Sequence, residues 1–321
     1  MEKADESLTM GPPYKIQDVD ILKTSNSAII SPAFPIVLNS TPAQMIGWTW
    51  GNGFCGEESF KQAGLYYGQY VSQYLVSKNE LLIGVNDVKA AKDLHLVYKT
   101  YKLPNPAAIM KFFKDNLAAY NFVIGTVYIY QSKGGDPDYD HIVPVVGYLP
   151  DTDSLVYQDL FLLDDRILSG KNCIVSRKQA SKRGAKRPDG ALTYGFSDQG
   201  YEGVVSGIVD SNKETKRMIL KTDCPIEPDP HLGQKPVMQN FSCLILGLVV
   251  GKKYSILRFD KNVPNSMFLS SKKWVKQFPF TAEYENCEMK NFDTGLTSAS
   301  IFYRTVEIPV GGEISGKIVM P

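Results

Sequence analysis

The stretch Trp50-Gly-Asn-Gly-Phe-Cys55-Gly-Glu-Glu-Ser59 decides how this chain is read. Gly51, Gly53 and Gly56 crowd the thiol, so backbone can approach it closely. Beyond it, Phe60, Ala63, Leu65, Tyr67, Tyr70, Val71, Tyr74 and Leu75 recur at helical spacing and predict a helix over 55–77. Gly64 and Gly68 weaken that helix but allow close approach of a neighbour. A Cys at a helix N-terminus faces free backbone N–H groups and the positive end of the dipole. Both favour thiolate, the nucleophilic form, and the same donors can hold the oxygen of an attacked carbonyl. Glu57 and Glu58 oppose this, since negative charge beside the sulfur disfavours its ionisation.

Working outward, a second helix is expected over about 86–96 with Asn86 as its cap. A third starts at Asn105, with Pro106 at the first helical position and an apolar stripe of Ile109, Phe112, Phe113 and Leu117. Phe122–Tyr130 reads as a buried strand, Gly134-Gly-Asp-Pro as a loop, and Ile142–Tyr148 and Leu155–Leu162 as strands joined by a turn at Pro150–Ser154. Helices followed by an antiparallel sheet make an α+β domain.

Asp140-His141-Ile-Val-Pro-Val-Val-Gly-Tyr148 sets His141 at the start of one of these strands, and Tyr157-Gln-Asp159 lies on the next. If the two pair, His141 and Asp159 are neighbours. His141 then acts as base toward Cys55 and Asp159 orients the imidazole; Asp140 or Gln158 are alternatives for that last role. His95 reads as structural and His231, in Pro230-His-Leu-Gly, as a surface-loop residue.

A Cys-Gly opening a helix, a helix–strand step at Leu117–Gly125, the Asp-His-x-Val-x-Val-Val-Gly-Tyr run and a strand bearing Asp together resemble the papain-like cysteine peptidase superfamily, nearest to its bacteriocin-processing (C39-like) branch. The likeness covers about residues 44–160. It implies a papain-like fold over 1–212, with Cys55 as nucleophile, His141 as base and Asp159 as orienting carboxylate. That family carries a Gln about six residues before the Cys as oxyanion donor. Thr49 stands there, and Asn52, Gln44 and Trp50 are the other candidates for the donor or for substrate contact.

From about 213 the character changes to short strand candidates at Met218, Cys243, Lys253, Phe278, Ser298–Thr305 and Ile314–Val319, read as a small all-β sandwich over 213–321. The expected function is a cysteine hydrolase acting on a peptide or small amide or acyl substrate through a thioester. Two alternatives are an acyltransferase or transglutaminase-like enzyme on the same fold, and a peptidase-like protein that binds without cleaving.

The 321 residues carry a formal charge of +1, which argues against general binding to nucleic acid or anionic membrane. The longest apolar stretch, Phe241–Val250, falls well short of the ~20 residues of a membrane helix. The three histidines show no metal-ligand spacing and no Cys-x-x-Cys occurs, so neither metal nor cofactor is expected. The Gly-x-Gly-x-x-Gly match at 51–56 lacks a βαβ setting and gives no support to nucleotide binding. Five cysteines leave the pairing of Cys173, Cys224, Cys243 and Cys287 open. The basic run Lys171–Arg187 reads as a solvated loop. The N-terminal Met-Glu-Lys-Ala-Asp-Glu has no apolar segment, so no signal peptide is expected there; a soluble cytoplasmic protein and a secreted, processed one both fit, and the oligomeric state is open.

Overall fold

A computed structural model describes residues 35–40, 42–46, 53–77, 86–129, 138–160, 164–168, 173–180, 195–208, 215–260 and 274–309. Their strands form two sheets, mixed with helices in an α+β arrangement. In the first lobe, β1 (Ile36–Val37) precedes helix α1 (Cys55–Tyr66), β2 (Gln69–Val71), α2 (Gln73–Ser77) and α3 (Asp87–Asp93). Then come β3 (Leu96–Tyr101), α4 (Pro106–Ala118), β4 (Phe122–Tyr128), β5 (His141–Leu149), β6 (Ser154–Asp159) and β7 (Asp164–Leu168). Short β8 (Ile174–Val175), α5 (Arg177–Ala180) and β9 (Gly195–Ser197) lead to β10 (Glu202–Ile208). The first sheet runs β3-β10-β4-β5-β6-β7, with β1 added to β5 and β9 to β4.

Helix α4 follows its sequence signals closely. The Asn105 side chain accepts the Ala108 N–H at 2.9 Å, Pro106 opens the helix, and Ile109, Phe113 and Leu117 are buried. The 55–77 helix does not run through. It ends at Tyr66, Gly68 adopts φ +80, and the chain turns into β2. Gly takes the left-handed conformation without the Cβ penalty that other residues carry there. Gly64 is the other half of this corner, since a Cβ there would stand 3.0 Å from the Gln69 carbonyl oxygen. The expected 86–96 helix is likewise shorter: α3 stops at Asp93, His95 takes φ 54, and Leu96–Tyr101 alternates as a strand.

The second lobe contributes β11 (Thr215–Thr222), β12 (Met238–Leu246), β13 (Lys253–Phe259), β14 (Lys276–Thr281), β15 (Cys287–Leu296) and β16 (Ser300–Glu307). These form one sheet, β14-β13-β16-β11-β12-β15, rather than two separate ones. Strand β11 pairs with β16 at Thr215–Lys216 and with β12 from Arg217 to Thr222, and the sheet bends there. Its far ends then face each other: Phe278 of β14 packs on Phe292 of β15 at 5.3 Å, and Asp293 of β15 binds Arg258, Lys276 and Tyr303. The boundary expected near 212 and the strand expected at Ile314–Val319 lie outside the described residues.

The two lobes share structure across that boundary. Strand β2, from the first lobe, pairs with β16 through Val71↔Ser300, Tyr70↔Ile301 and Gln69↔Phe302. One core cluster joins Phe60, Phe122 and Val143 to Ile219, Leu257 and Phe302; a second joins Leu65 and Tyr70 to Phe241 and Tyr254. Helix α1 feeds both cores, so every residue from Gly56 to Tyr66 is buried. Part of the basic run is folded as well: Arg177 pairs with Asp140 at 2.5 Å, in place of the solvated loop expected there. The cysteines are all free thiols. No helix among the described residues is long and apolar enough to cross a membrane.

Candidate functional site

Helix α1 begins at Cys55, and its first intrahelical bond is from the Glu58 N–H to the Phe54 carbonyl at 2.8 Å. No side chain caps this end, so the first-turn N–H groups of Cys55 and Gly56 are directed at the thiol. A third amide acts on the sulfur from the sheet: the Ile142 N–H lies close enough to favour its ionised form. Ile142 directly follows His141, the first residue of β5. The nucleophile candidate therefore lies beside the peptide unit that its candidate base helps to form.

The electrostatics at this sulfur are mixed. Burial pushes the Cys55 thiol up to about 12, the neighbouring Glu57 charge adds to the rise, and the three amides oppose it. Burial pushes Cys173 and Cys243 up to about 12 as well. Desolvation and Glu57 thus work against the thiolate that the helix N-terminus favours, at a side chain that is only partly buried.

His141 is fully buried and pairs with Val127 of β4. The β5–β6 ladder ends at Val145↔Tyr157, and its register, continued, would set Val143 rather than His141 opposite Asp159. By strand alternation His141, Val143, Tyr157 and Asp159 share a sheet face. That face carries α4, since a Cβ on Gly125, opposite Val143, would meet Phe113 of α4. Helix α1 lies against the other face, where Tyr66 packs on Phe122 and Phe60 on Tyr98. No hydrogen bond joins the Cys55 sulfur to the His141 ring among the described residues. The structure brings Cys55 to the His141 end of β5 and sets His141 and Asp159 on one face, without closing a Cys–His pair.

Asp159 is buried, and the following residue, Leu160, offers its carbonyl to the Met45 N–H at 3.1 Å. Of the alternatives to Asp159, Asp140 is engaged by Arg177 and by the Ile129 N–H, and Gln158 donates to the Ser40 carbonyl. Gln44 is held through its backbone, its N–H on the Pro225 carbonyl and its own carbonyl on the Gln73 side chain. Thr49, Trp50 and Asn52, the other candidate donors, lie outside the described residues.

Two features escaped the sequence reading. The ring of His231, on the second lobe, lies 6.0 Å from that of Phe54 and 6.2 Å from that of Tyr74, so a wall from the far half of the chain stands beside the residue preceding Cys55. Six residues along α1, Lys61 is buried between Glu58 at 3.2 Å and Glu227 at 2.9 Å. Burial pushes Glu58 up to about 8, with Lys61 opposing and Glu227 adding to the rise. Nothing local in the sequence announces either, because both depend on how the second lobe docks. The described residues contain no cluster of His, Cys, Asp or Glu able to hold a metal ion. Comparison with known proteins found no family model, no curated protein and no solved structure that matches this chain.

Proposed function

We propose that the protein is a cysteine-nucleophile hydrolase of papain-like fold, acting on an amide or related acyl group. Cys55 is its nucleophile, His141 its base and Asp159 the carboxylate that orients the imidazole. The observation that carries the reading is the Ile142 N–H close to the Cys55 sulfur, which sets the start of α1 beside the start of β5. The reading is supported further by the packing of α1, which Cys55 opens, against β5, which His141 opens.

A thiol held near 12 is not a ready thiolate, so its proton must leave as the sulfur attacks. In this mechanism His141 takes the proton, which requires the start of β5 to shift when substrate fills the site, because the imidazole lies on the sheet face away from α1. The S–C bond forms, and the N–H groups of Cys55 and Gly56 receive the developing oxyanion. His141 then protonates the leaving group, giving a thioester. A water molecule deprotonated by the same ring hydrolyses it and restores the thiol. Asp159 stabilises the imidazolium.

The suppressed thiol also favours a second reading, in which the fold binds a peptide and does not cleave it. A small acyl chloromethyl ketone separates the two. It should alkylate wild-type protein once, at Cys55, and the label should vanish in Cys55→Ser, with hydrolysis of a panel of peptidyl amides lost in parallel. Absence of both labelling and hydrolysis in folded wild-type protein overturns the hydrolase and leaves the binding reading.

A further inference from the structure

We infer that Gln73 is a positioning residue of the Cys55 site, holding the nucleophile and the orienting carboxylate in register through the segment Gln44–Ile46. The inference rests on the proposed hydrolase. Gln73 is fully buried at the start of α2. Its side-chain oxygen accepts the Ile46 N–H at 2.9 Å, and its side-chain nitrogen donates to the Gln44 carbonyl at 2.8 Å. These two groups lie two residues apart on one edge of the segment. An edge of that kind offers a donor and an acceptor in the pattern a neighbouring strand would satisfy, and the planar amide supplies both from one side chain.

What the segment holds gives the contact its meaning. The Ile46 carbonyl accepts the N–H of Phe54, the residue before Cys55, at 3.0 Å. The Met45 N–H donates to the carbonyl of Leu160, the residue after Asp159, at 3.1 Å. Both sides of the site hang on three residues, and Gln73 grips the first and the last of them. Gln73 is itself fixed from the second lobe, its backbone N–H donating to Glu227 Oε2 at 3.1 Å. The Gln44 N–H is anchored on the same lobe, at the Pro225 carbonyl, at 2.9 Å. A small displacement of reacting groups costs on the order of 10²-fold in rate, so a residue that touches neither Cys55 nor substrate can set the rate of reaction at the sulfur.

The test is the pH profile of Cys55 labelling by the chloromethyl ketone in wild type, Gln73→Glu and Gln73→Leu. A buried Glu at this position stays protonated well above the usual carboxylate range. In that form it offers an O–H to the Gln44 carbonyl and an oxygen to the Ile46 N–H, and the grip is restored. Once ionised it sets negative charge against the Gln44 carbonyl. Gln73→Glu should therefore label at close to the wild-type rate in acid and fall on the order of 10²-fold behind it above a new midpoint. Gln73→Leu should be slow at every pH, with no new midpoint. Wild-type rates for both folded variants across the range overturn the inference and leave the hydrolase standing, as does loss of cooperative folding in both, since the grip then serves only the fold. Wild-type protein that never labels removes the hydrolase reading and this inference with it.

Discussion

The sulfur of Cys55 stands between two influences that the sequence also displays, the free amides at the start of a helix and the carboxylate of Glu57 two positions on. Burial decides the contest, because a charge removed from water costs more than a few N–H dipoles return at a half-wet helix end. Removing the negative neighbour should then be felt at the sulfur. Glu57→Gln is expected to lower the thiol pKa and raise the chloroacetamide alkylation rate of Cys55 at fixed neutral pH, by up to about tenfold for each unit of the fall. Mass-spectrometric rates measured against pH check this, and an unmoved profile removes Glu57 as a cause. His141→Ala should cut turnover of any peptidyl amide the wild type hydrolyses by ~10²–10⁴-fold while leaving chloroacetamide alkylation nearly unchanged, since the ring is not bonded to the resting thiol. At this scale the sequence discloses which residue types are present and which face or end they occupy. It does not disclose desolvation, which comes from residues packed in from elsewhere, and so the raised pKa of the thiol could not be read from the string.

Among the elements, α4 is the one written most plainly, because its cap, its first-turn proline and its apolar stripe are all local. Asn105→Ala should cost about 1 kcal/mol, read by denaturant unfolding. The corner after α1 was illegible for the opposite reason. Tyr67, Tyr70, Val71, Tyr74 and Leu75 continue the helical spacing, yet Tyr70 and Val71 turn inward as a strand because β16 is there to pair with them. Gly64 and Gly68 were the visible sign, and both bear on the bend rather than on a helix neighbour. Gly68→Ala forces a Cβ into a left-handed residue and should destabilise by about 1–2 kcal/mol. Gly64→Ala adds a contact with a carbonyl oxygen that has little room to retreat, and it should be destabilising in the same assay. The strand character of Leu96–Tyr101 was missed because a positive-φ His95 ends α3 where no glycine or proline marks the stop.

The whole molecule is held by groups that titrate. Glu202 on β10 is fully buried, with neither side-chain oxygen partnered among the described residues, and burial raises it from 4.5 to about 8. An acid raised in the folded state binds more protons folded than unfolded, so stability falls as pH rises from the unfolded value toward about 8 and is level beyond it. Glu202→Gln should flatten that fall and be the more stable protein at pH 8, while the two converge near pH 4, as urea midpoints taken across the range would show. Equal slopes in the two proteins would remove this assignment. Glu227→Ala leaves Lys61 buried beside a single raised carboxyl and should cost about 3–5 kcal/mol, melting both lobes in one calorimetric transition because their cores are joined. The pairing of β2 with β16 bears also on the order of events during synthesis. Cys55, His141 and Asp159 leave the ribosome long before Ser300–Phe302, the residues that give β2 its partner. Until that late segment emerges, the helix bearing the thiol has a floor on one side only, and a nascent chain holding every candidate catalytic side chain still lacks the support that sets them in place.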